Sequence, residues 1–373
     1  MISSSLGYYG AERVVVTLSE ALEQSGVHTV VAAFHNTAKV VHLEVLEEAK
    51  ARGLATERIE CGGRFDCGAV RRLREIVDHH QVDVIHCHGI KPDLYALLAC
   101  ARGKAALVST CHLWVFDSGR DWLISAVERC FLHGFDNVVA VSESIVPELR
   151  RFGLRGEVIQ NGIDLRSFRE PESNLRESLG WKGRPIVGAV GRLARQKGLQ
   201  HLLRAAPAVL QESPDTMFVF AGDGPERDAL EREAARLGVL DSVCFLGVRE
   251  DIPTLLASID VLAMPSLSEG LPMALLEAMA CGKAVIASAV GAIPQMIADR
   301  VNGWLIDPAD EQGLAAAMRG LIMSPELRAS MGREARRTIE SRFSAEIMAE
   351  RHVELYRKAT AHKASGQRTR NGS

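Results

Sequence analysis

The chain has 373 residues, of which 47% are apolar and 24% charged, a composition typical of globular proteins and a length that favours two domains over one. The formal charge of −3 provides no general basic field, which argues against a nucleic-acid partner. The apolar runs are too short or too interrupted for a transmembrane helix and the N-terminus lacks a signal-peptide pattern, so we expect a cytoplasmic protein.

The first predicted elements are the turn and helix in GYYGAERVVVTLSEAL, which open a doubly wound α/β domain. Only residues 1–5 precede the turn, so we expect the first strand of this domain to be truncated to a stub. We favour a native start upstream of Met1 over a domain that works with a shortened strand, and sequencing the native N-terminus would decide between them. The later strands of this half are predicted at VHTVVAAF, DVIHCHG, AALVSTCH and NVVAVS.

The pattern stops at the polar stretch RSFREPESNLRESLGWKGRP and then restarts, with strands predicted at PIVGAVG, TMFVFAG, SVCFLG, DVLAMPS, KAVIASAV and NGWLIDP. This alternation predicts parallel sheets with helices on both faces, and therefore two doubly wound, Rossmann-like domains. The predicted organisation is a first domain at 1–165, a linker at 166–184, a second domain at 185–342, a helix at 343–361 that crosses back to the first domain, and a disordered tail at 362–373.

One motif begins where the strand DVLAMP ends. The loop 266–270 leads into a helix predicted to begin near Leu271, with Pro272 in its first turn. The free N–H groups of this turn and close backbone approach at Gly270 suit a phosphate or sugar hydroxyls. Glu277 is the only charged residue of the helix and lies roughly 9 Å along it, where a ribose could reach it. A solvated or salt-bridged glutamate is the open alternative.

A second motif, VGAVGRLARQKGLQHLL, follows the first strand of the second domain. Arg192 and Lys197 are predicted to flank the start of a helix near Lys197, at the strand end where open parallel sheets bind ligands. Two cations beside a helix N-terminus suit a diphosphate, because they neutralise the charge that grows on a departing phosphate. A solvated loop is the alternative for each residue taken alone.

Together these stretches resemble glycosyltransferase family 4, whose members are retaining enzymes of the GT-B fold, and the resemblance covers nearly the whole chain. The E-x7-E signature corresponds to Glu269 and Glu277, and the phosphate-binding pair corresponds to Arg192 and Lys197. The further matches are GAERV from Gly10, HCHG from His86, STCH ending at His112, NGID from Asn161, AGDGPER and FLG. The departures are Tyr9-Gly10 in place of Gly-Gly, and Gly291-Ala292-Ile293-Pro294-Gln295 in place of Gly-Gly-x-Pro-Glu.

The resemblance implies a role for each matched residue. Glu269 and the backbone of the residues after it would hold the donor sugar and its phosphate, and Glu277 would bind the ribose hydroxyls. His112, from the first domain, would face the transferring sugar across a central cleft. The implied donor site contains Gly10, Arg192, Lys197, Val248, Arg249, Glu269, Gly270, Leu271, Pro272, Met273 and Glu277, and the implied catalytic residues are Arg192, Lys197, Glu269 and His112.

We expect neither a metal nor a cofactor, because the family needs no metal and no D-x-D element is placed to bridge a metal to a diphosphate. The nucleotide sugar, UDP- or GDP-linked, would be a substrate. His86 and His88 lie two apart on a predicted strand and point to the same face, but no third ligand is evident, so we interpret them as structural or acceptor-side residues.

The implied function is retaining, metal-independent transfer of a sugar from a nucleotide-sugar donor to a glycan or lipid-linked acceptor, in cell-surface polysaccharide or glycolipid biosynthesis. Two alternatives stay open: a catalytically impaired donor-binding or scaffold protein of the same fold, and a GT-B nucleotide-sugar epimerase. Peripheral contact with the inner face of the membrane would need a local basic patch, for which the candidates are Arg71 to Arg74 or Arg150 with Arg151.

Overall fold

The computed structural model describes residues 1–3, 10–36, 43–63, 65–100, 103–111, 129–168 and 175–365. The chain divides into two compact units. Unit 1 contains Met1–Gly162 together with the chain from Ala345 onward, and unit 2 is the continuous stretch Ile163–Ser344. No helix of the described residues is both long and apolar enough to span a membrane.

Unit 1 is built on a seven-stranded parallel sheet with the order β3-β2-β1-β4-β5-β6-β7. Its strands are β1 Ile2–Ser3, β2 Val30–Asn36, β3 Ala55–Cys61, β4 Val84–His88, β5 Ala106–Cys111, β6 Asn137–Ala140 and β7 Gly156–Val158. The helices between them are α1 Gly10–Gln24, α2 Glu44–Ala51, α3 Cys67–His79, α4 Ile90–Cys100 and α5 Val146–Arg151. The central strand β5 is buried along its whole length, as expected where helices cover both faces of a parallel sheet.

The short first strand lies at the centre of this sheet. Ile2 pairs with Ala32 of β2 on one side and with Cys87 of β4 on the other. The Met1 ammonium donates a hydrogen bond to the Val30 carbonyl at 2.9 Å, and burial lowers its pKa from 8.0 to about 6. Within the described residues β1 consists of Ile2 and Ser3, in keeping with the stub expected within residues 1–5, and it pairs with β2 on one side and β4 on the other.

Unit 2 is built on a six-stranded parallel sheet with the order β10-β9-β8-β11-β12-β13. Its strands are β8 Ile186–Val190, β9 Met217–Ala221, β10 Val243–Gly247, β11 Val261–Met264, β12 Ala284–Ser288 and β13 Trp304–Ile306. Its helices are α6 Leu175–Ser178, α7 Leu199–Leu210, α8 Arg227–Arg236, α9 Ile252–Ser258, α10 Met273–Ala280, α11 Ile293–Met296, α12 Glu311–Met323 and α13 Pro325–Arg342. Every strand predicted from the sequence is present, and the class of two doubly wound α/β domains is confirmed.

The stretch 166–184, predicted as a linker, lies inside unit 2. Arg176 of α6 donates to the Asp260 carboxylate at 2.6 Å and to the Ser258 carbonyl at 2.7 Å, and Trp181 is buried. The division between the units falls after Gly162, three residues before the predicted boundary. The polar, glycine- and proline-containing composition of the stretch therefore marks a segment that packs on α9 and the sheet.

The last helix, α14, spans Ala345–Ala364 and belongs to unit 1. It packs on α1, β4 and β5. It begins two residues after the predicted 343 and continues three residues into the predicted tail. Residues 366–373 of that tail lie outside the described part of the chain.

A cluster of buried aromatic side chains joins α14 to the sheet of unit 1. Both ring nitrogens of His86 form hydrogen bonds. Tyr356 Oη lies 2.7 Å from Nδ1, and Thr110 Oγ1 lies 2.6 Å from Nε2. The ring centroids of His88 and His352 lie 4.5 Å and 5.4 Å from that of His86. The structural interpretation of His86 is thus supported, since both of its nitrogens already have partners.

Stability should depend on pH through His352. Burial lowers the pKa of this imidazole from 6.5 to about 4, so the folded protein binds the proton more weakly than the unfolded chain does. The stabilising effect of the neutral ring is complete above pH 6.5 and is lost as the pH falls towards 4. We expect the free energy of unfolding to decrease across this window by up to about 1.4 kcal/mol per pH unit from this group.

Urea unfolding of the wild type and of His352→Leu, followed across that window, measures this contribution. The variant should lack this component of the pH slope. Equal slopes in the two proteins would contradict the assignment.

Candidate active site

Loops that follow four neighbouring strands of unit 2 meet at one edge of the sheet. Because β8, β9, β11 and β12 are parallel, their carboxyl ends share that edge. Backbone hydrogen bonds of 2.8–3.0 Å connect the loops, and they run from Leu193 to Asp223, from Leu267 to Gln196 and from Ala292 to Gly270. These hydrogen bonds hold the four loops of the site together.

Two glycines allow these loops to touch. Gly198 has a φ of 60°, and a Cβ atom there would lie 2.1 Å from the Pro265 carbonyl oxygen. Gly291 has a φ of 57°, and its Cβ atom would lie 1.8 Å from the carbonyl oxygen of Glu269. Only glycine fits either position, because both the left-handed backbone and the short separation exclude a side chain.

Gly291→Ala is expected to lower the free energy of unfolding by about 3 kcal/mol, since it adds a backbone clash to the strain of a positive φ. Gly238→Ala is the matched control. Gly238 has a similar φ of 68°, but open space surrounds the position of its Cβ atom, so strain alone should cost about 1 kcal/mol. Chemical denaturation measures both, and equal losses would show that the close approach of the loops does not matter.

The central contact of the site is an ion pair. Lys197 Nζ donates to Glu269 Oε1 at 2.7 Å, and Ser266 Oγ donates to the same oxygen at 2.7 Å. The Glu269 side chain is 6% exposed and that of Lys197 is 20% exposed. Within the described residues, Glu269 Oε2 has no hydrogen-bond partner. The carboxylate is therefore fixed through one oxygen, and the other can accept a hydrogen bond from a ligand hydroxyl.

The segment between β8 and α7 differs in detail from the prediction. The chain forms a 3-10 turn at Arg195–Lys197, and α7 begins at Leu199, after Gly198 rather than near Lys197. The helix begins later because left-handed Gly198 separates the two turns. Lys197 lies just before the helix, beside a small pocket that Gly191, Arg192 and Ser266 also line.

Arg192 is the second cation at this pocket. Its side chain is exposed, and no hydrogen bond or ion pair joins its guanidinium to any of the residues that the structure describes. The neighbouring backbone is held, since Leu193 N donates to the Asp223 carbonyl at 2.9 Å. A guanidinium in this position can take an anion without breaking an existing ion pair.

The helix that carries Glu277 begins two residues later than predicted. Gly270 and Leu271 are buried loop residues, Pro272 is the N-cap in extended conformation, and Met273 is the first residue of α10. The Pro272 side chain has no polar group, so it caps no N–H of the first turn. Leu275 N donates to the Pro272 carbonyl at 3.2 Å, so it is the N–H groups of Met273 and Ala274 that can bind an anion or a hydroxyl oxygen.

Glu277 is only 4% exposed, so the solvated alternative for this residue is wrong. Four residues of helix separate it from Met273, or roughly 6 Å along the axis. The pKa of the Cys281 thiol is raised to about 11, mainly by burial and in addition by the negative charge of Glu277. The carboxylate lies in a low-dielectric environment, where a hydrogen bond to it is strong.

The other predicted donor-site residues are more scattered. Val248, after β10, is 73% exposed. The Arg249 guanidinium makes two hydrogen bonds to the Asp251 carboxylate, at 2.7 and 2.5 Å, and holds the pKa of that carboxyl below its usual range. Gly10 is the first residue of α1 in unit 1. His112 follows β5 and lies outside the described residues.

Both candidate basic patches are partly neutralised. Arg71 pairs with Glu75 at 3.3 Å and Arg72 pairs with Asp66 at 3.8 Å. Arg151 pairs with Glu148 at 3.3 Å. Fewer unpaired cations remain on these surfaces than their sequence suggests.

Two family models match the chain, "Glycosyltransferase Family 4" over residues 8–167 and "Glycosyl transferases group 1" over residues 171–338. The alpha-maltose-1-phosphate synthase of Mycolicibacterium smegmatis is 34% identical over 316 residues, which cover 74% of this chain and 79% of that protein. The chain belongs to the group 1 glycosyltransferase family. The predicted family is confirmed, and with it the prediction that the chain is an enzyme.

Two further proteins are similar to this group 1 glycosyltransferase. The D-inositol 3-phosphate glycosyltransferase of Salinispora arenicola is 30% identical over 358 residues, covering 86% of this chain and 79% of that protein. The crystal structure of Anabaena HepE in complex with UDP-glucose superimposes with a TM-score of 0.82 at 24% identity, covering 96% of this chain and 98% of that one. The structural likeness confirms the GT-B fold.

Proposed function

We propose that this group 1 glycosyltransferase transfers a sugar from a UDP- or GDP-linked donor to a glycan or lipid-linked acceptor, with retention of the anomeric configuration and without a metal ion. One observation carries the proposal: Lys197 and Ser266 hold Glu269 through a single carboxylate oxygen, directly before the start of α10. The UDP-glucose bound to the related fold of HepE supports a UDP-linked donor.

In the proposed complex, the diphosphate lies between the two cations and the start of α10. Arg192, which has no partner within the described residues, and Lys197 meet the phosphate oxygens. Glu269 Oε2 accepts a hydrogen bond from a hydroxyl of the donor sugar, and the first N–H groups of α10 bind the adjacent phosphate. Buried Glu277 accepts hydrogen bonds from the ribose hydroxyls.

The remaining predicted residues complete the proposal. The backbone at Val248 and Arg249 meets the nucleobase. Gly10 approaches the donor phosphate, and His112 faces the transferring sugar.

In the proposed reaction the bond between the anomeric carbon and the phosphate oxygen breaks, and the acceptor oxygen bonds to the same face of that carbon. The acceptor proton passes to the departing phosphate oxygen, so no enzymic nucleophile is consumed. Negative charge grows on the diphosphate as the bond breaks. Arg192, Lys197 and the α10 N-terminus stabilise that charge, and this is the work that a divalent ion performs in other transferases.

Thermal-shift screening against UDP, GDP and ADP, and then against their sugars, identifies the donor. NMR of the product formed from that donor then reports its anomeric configuration, with and without EDTA. Retention and EDTA-resistant turnover are expected. An inverted product, or activity that EDTA abolishes and Mg²⁺ restores, would refute the mechanism. Epimerisation of the donor without an acceptor would indicate the epimerase alternative.

The proposed site of action is the cytoplasm, at the inner face of the membrane where the acceptor is lipid-linked. Flotation with vesicles that contain anionic lipid tests this placement. Recovery of the protein only in the unbound fraction would contradict peripheral membrane contact.

A further inference from the structure

Unit 1 has a pocket of its own at the carboxyl edge of its sheet. The cavity has a volume of about 570 Å³ and is lined by Asn36, Gly63, Ile90, Lys91 and Leu94. Asn36 ends β2, Gly63 follows β3, and the other three lie in the first part of α4. Open parallel sheets bind ligands at this edge, and the volume is within the usual range for a small-molecule site.

Among the residues that the structure describes, Lys91 is the only charged one that lines this pocket. Its Nζ atom lies 4.8 Å from the ring centroid of Phe34 and 5.8 Å from that of Tyr95. Aromatic faces attract and orient an ammonium group but leave its full positive charge in place. The Lys91 side chain is half-buried, so this charge is less screened than that of a surface lysine.

The carboxylates next to this pocket are already engaged. Glu60 Oε2 lies 2.8 Å from His35 Nδ1. Asp66 accepts hydrogen bonds from the backbone N–H groups of Gly62, at 2.9 Å, and Gly68, at 2.7 Å, and these lower its pKa. Across the described ranges of the chain, no carboxylate pairs with Lys91. Among the described residues, the Lys91 charge therefore has no carboxylate partner, and its polar neighbour is the Cys61 thiol, with which it interacts.

We propose that this pocket binds an anionic group, a phosphate or a carboxylate, on a sugar or polyol acceptor, with Lys91 Nζ as its counter-charge. The inference rests on the proposed function, adds to it that the acceptor binds in unit 1, and narrows the acceptor class to anionic compounds. An uncharged acceptor would leave the ammonium desolvated without a partner, which costs binding free energy. Lys91 is therefore a specificity-determining residue.

Matched pairs of small molecules test the proposal by isothermal titration of the full-length protein at low and high salt. The pairs are glycerol and glycerol 3-phosphate, glucose and glucose 6-phosphate, and glucose and gluconate. The nucleoside diphosphate that the thermal-shift screen identifies is present at saturation throughout, so that phosphate does not bind beside Arg192 and Lys197. A comparison of the phosphate compounds with the carboxylate compound shows which of the two anionic groups the pocket binds.

At least one anionic member should bind more tightly than its neutral partner, and salt should weaken that binding. Lys91→Met should weaken it about tenfold or more, whereas Lys91→Arg should retain most of it. Lys104→Met, an exposed lysine of unit 1 at the opposite edge of the sheet, is the control and should bind as the wild type does.

Equal binding by the wild type and Lys91→Met would overturn the proposal, as would preference for the neutral member of every pair. Failure of every anionic member to bind up to about 10 mM would also overturn it. Binding of that nucleoside diphosphate, measured separately on each variant, should stay unchanged and serves as the check on folding. Failure of the wild type to bind either UDP or GDP would instead count against the proposed function, so the two failures are distinguishable.

Discussion

Lys197→Met is expected to lower kcat by about 10²–10³ and to destabilise unit 2 at the same time. The first effect follows from the loss of one preorganised positive charge at the departing diphosphate. The second follows because the Glu269 carboxylate, 6% exposed, would keep only the hydroxyl of Ser266 as a partner. Removal of one member of a largely buried ion pair should cost about 2 kcal/mol here, since Lys197 itself is 20% exposed. Turnover at saturating donor and urea denaturation measure the two effects.

A double variant separates catalysis from stability. Lys197→Met with Glu269→Gln removes both charges, so most of the lost free energy of unfolding should return. Activity should not return, because the cation at the diphosphate and the carboxylate at the sugar are both missing. Recovery of kcat along with stability would mean that the pair serves the fold alone.

Arg192→Ala should lower kcat by about the same factor, 10²–10³, but leave stability unchanged. The Arg192 side chain is exposed and makes no ion pair with the described residues, so the folded state loses little when it is removed. Arg195→Ala is the matched control, because Arg195 is an exposed arginine three residues further along the same loop. This control should turn over like the wild type.

Steady-state kinetics with the identified donor provide the test of Arg192. An equal loss of kcat in Arg192→Ala and Arg195→Ala would indicate that the effect comes from the charge of the loop as a whole and not from a specific contact of Arg192. Unchanged turnover in Arg192→Ala would remove this residue from the mechanism.

The sequence predicted every strand of unit 2, including its edge strands β10 and β13, but it did not predict β3 and β7, the two edge strands of unit 1. β3, ATERIEC, and β7, GEV, are largely polar, and their residues are mostly exposed or half-buried. An edge strand is hydrogen-bonded on one side only and need not present a continuous apolar run. The edge strands β10 and β13 do carry apolar runs and were predicted, so the missing signal in β3 and β7 is the apolar run and not the edge position itself.

At the site, the charged residues could be predicted and their partners could not. Glu269, Glu277, Arg192 and Lys197 were identified because they occur in motifs of fixed spacing. The bond from Ser266 to Glu269 was missed, although the two residues are only three apart, because it depends on how the loop bends. Gly291 lies close to the Glu269 carbonyl although the two residues are 22 positions apart in the chain. The only sign of this contact in the sequence is the glycine itself.

The return of α14 to unit 1 has a consequence for biosynthesis. The strands of unit 1 leave the ribosome before Ile163–Ser344 is made, and the helix that covers β4 and β5 follows only after that stretch. At ordinary elongation rates the delay is roughly 10–40 s. During that time His86 of β4 has no Tyr356 to pair with, whereas unit 2, which is continuous in the chain, can complete its core at once. The half of the molecule made first is thus the half that finishes folding last, and nascent chains should depend on chaperones chiefly for their N-terminal sheet.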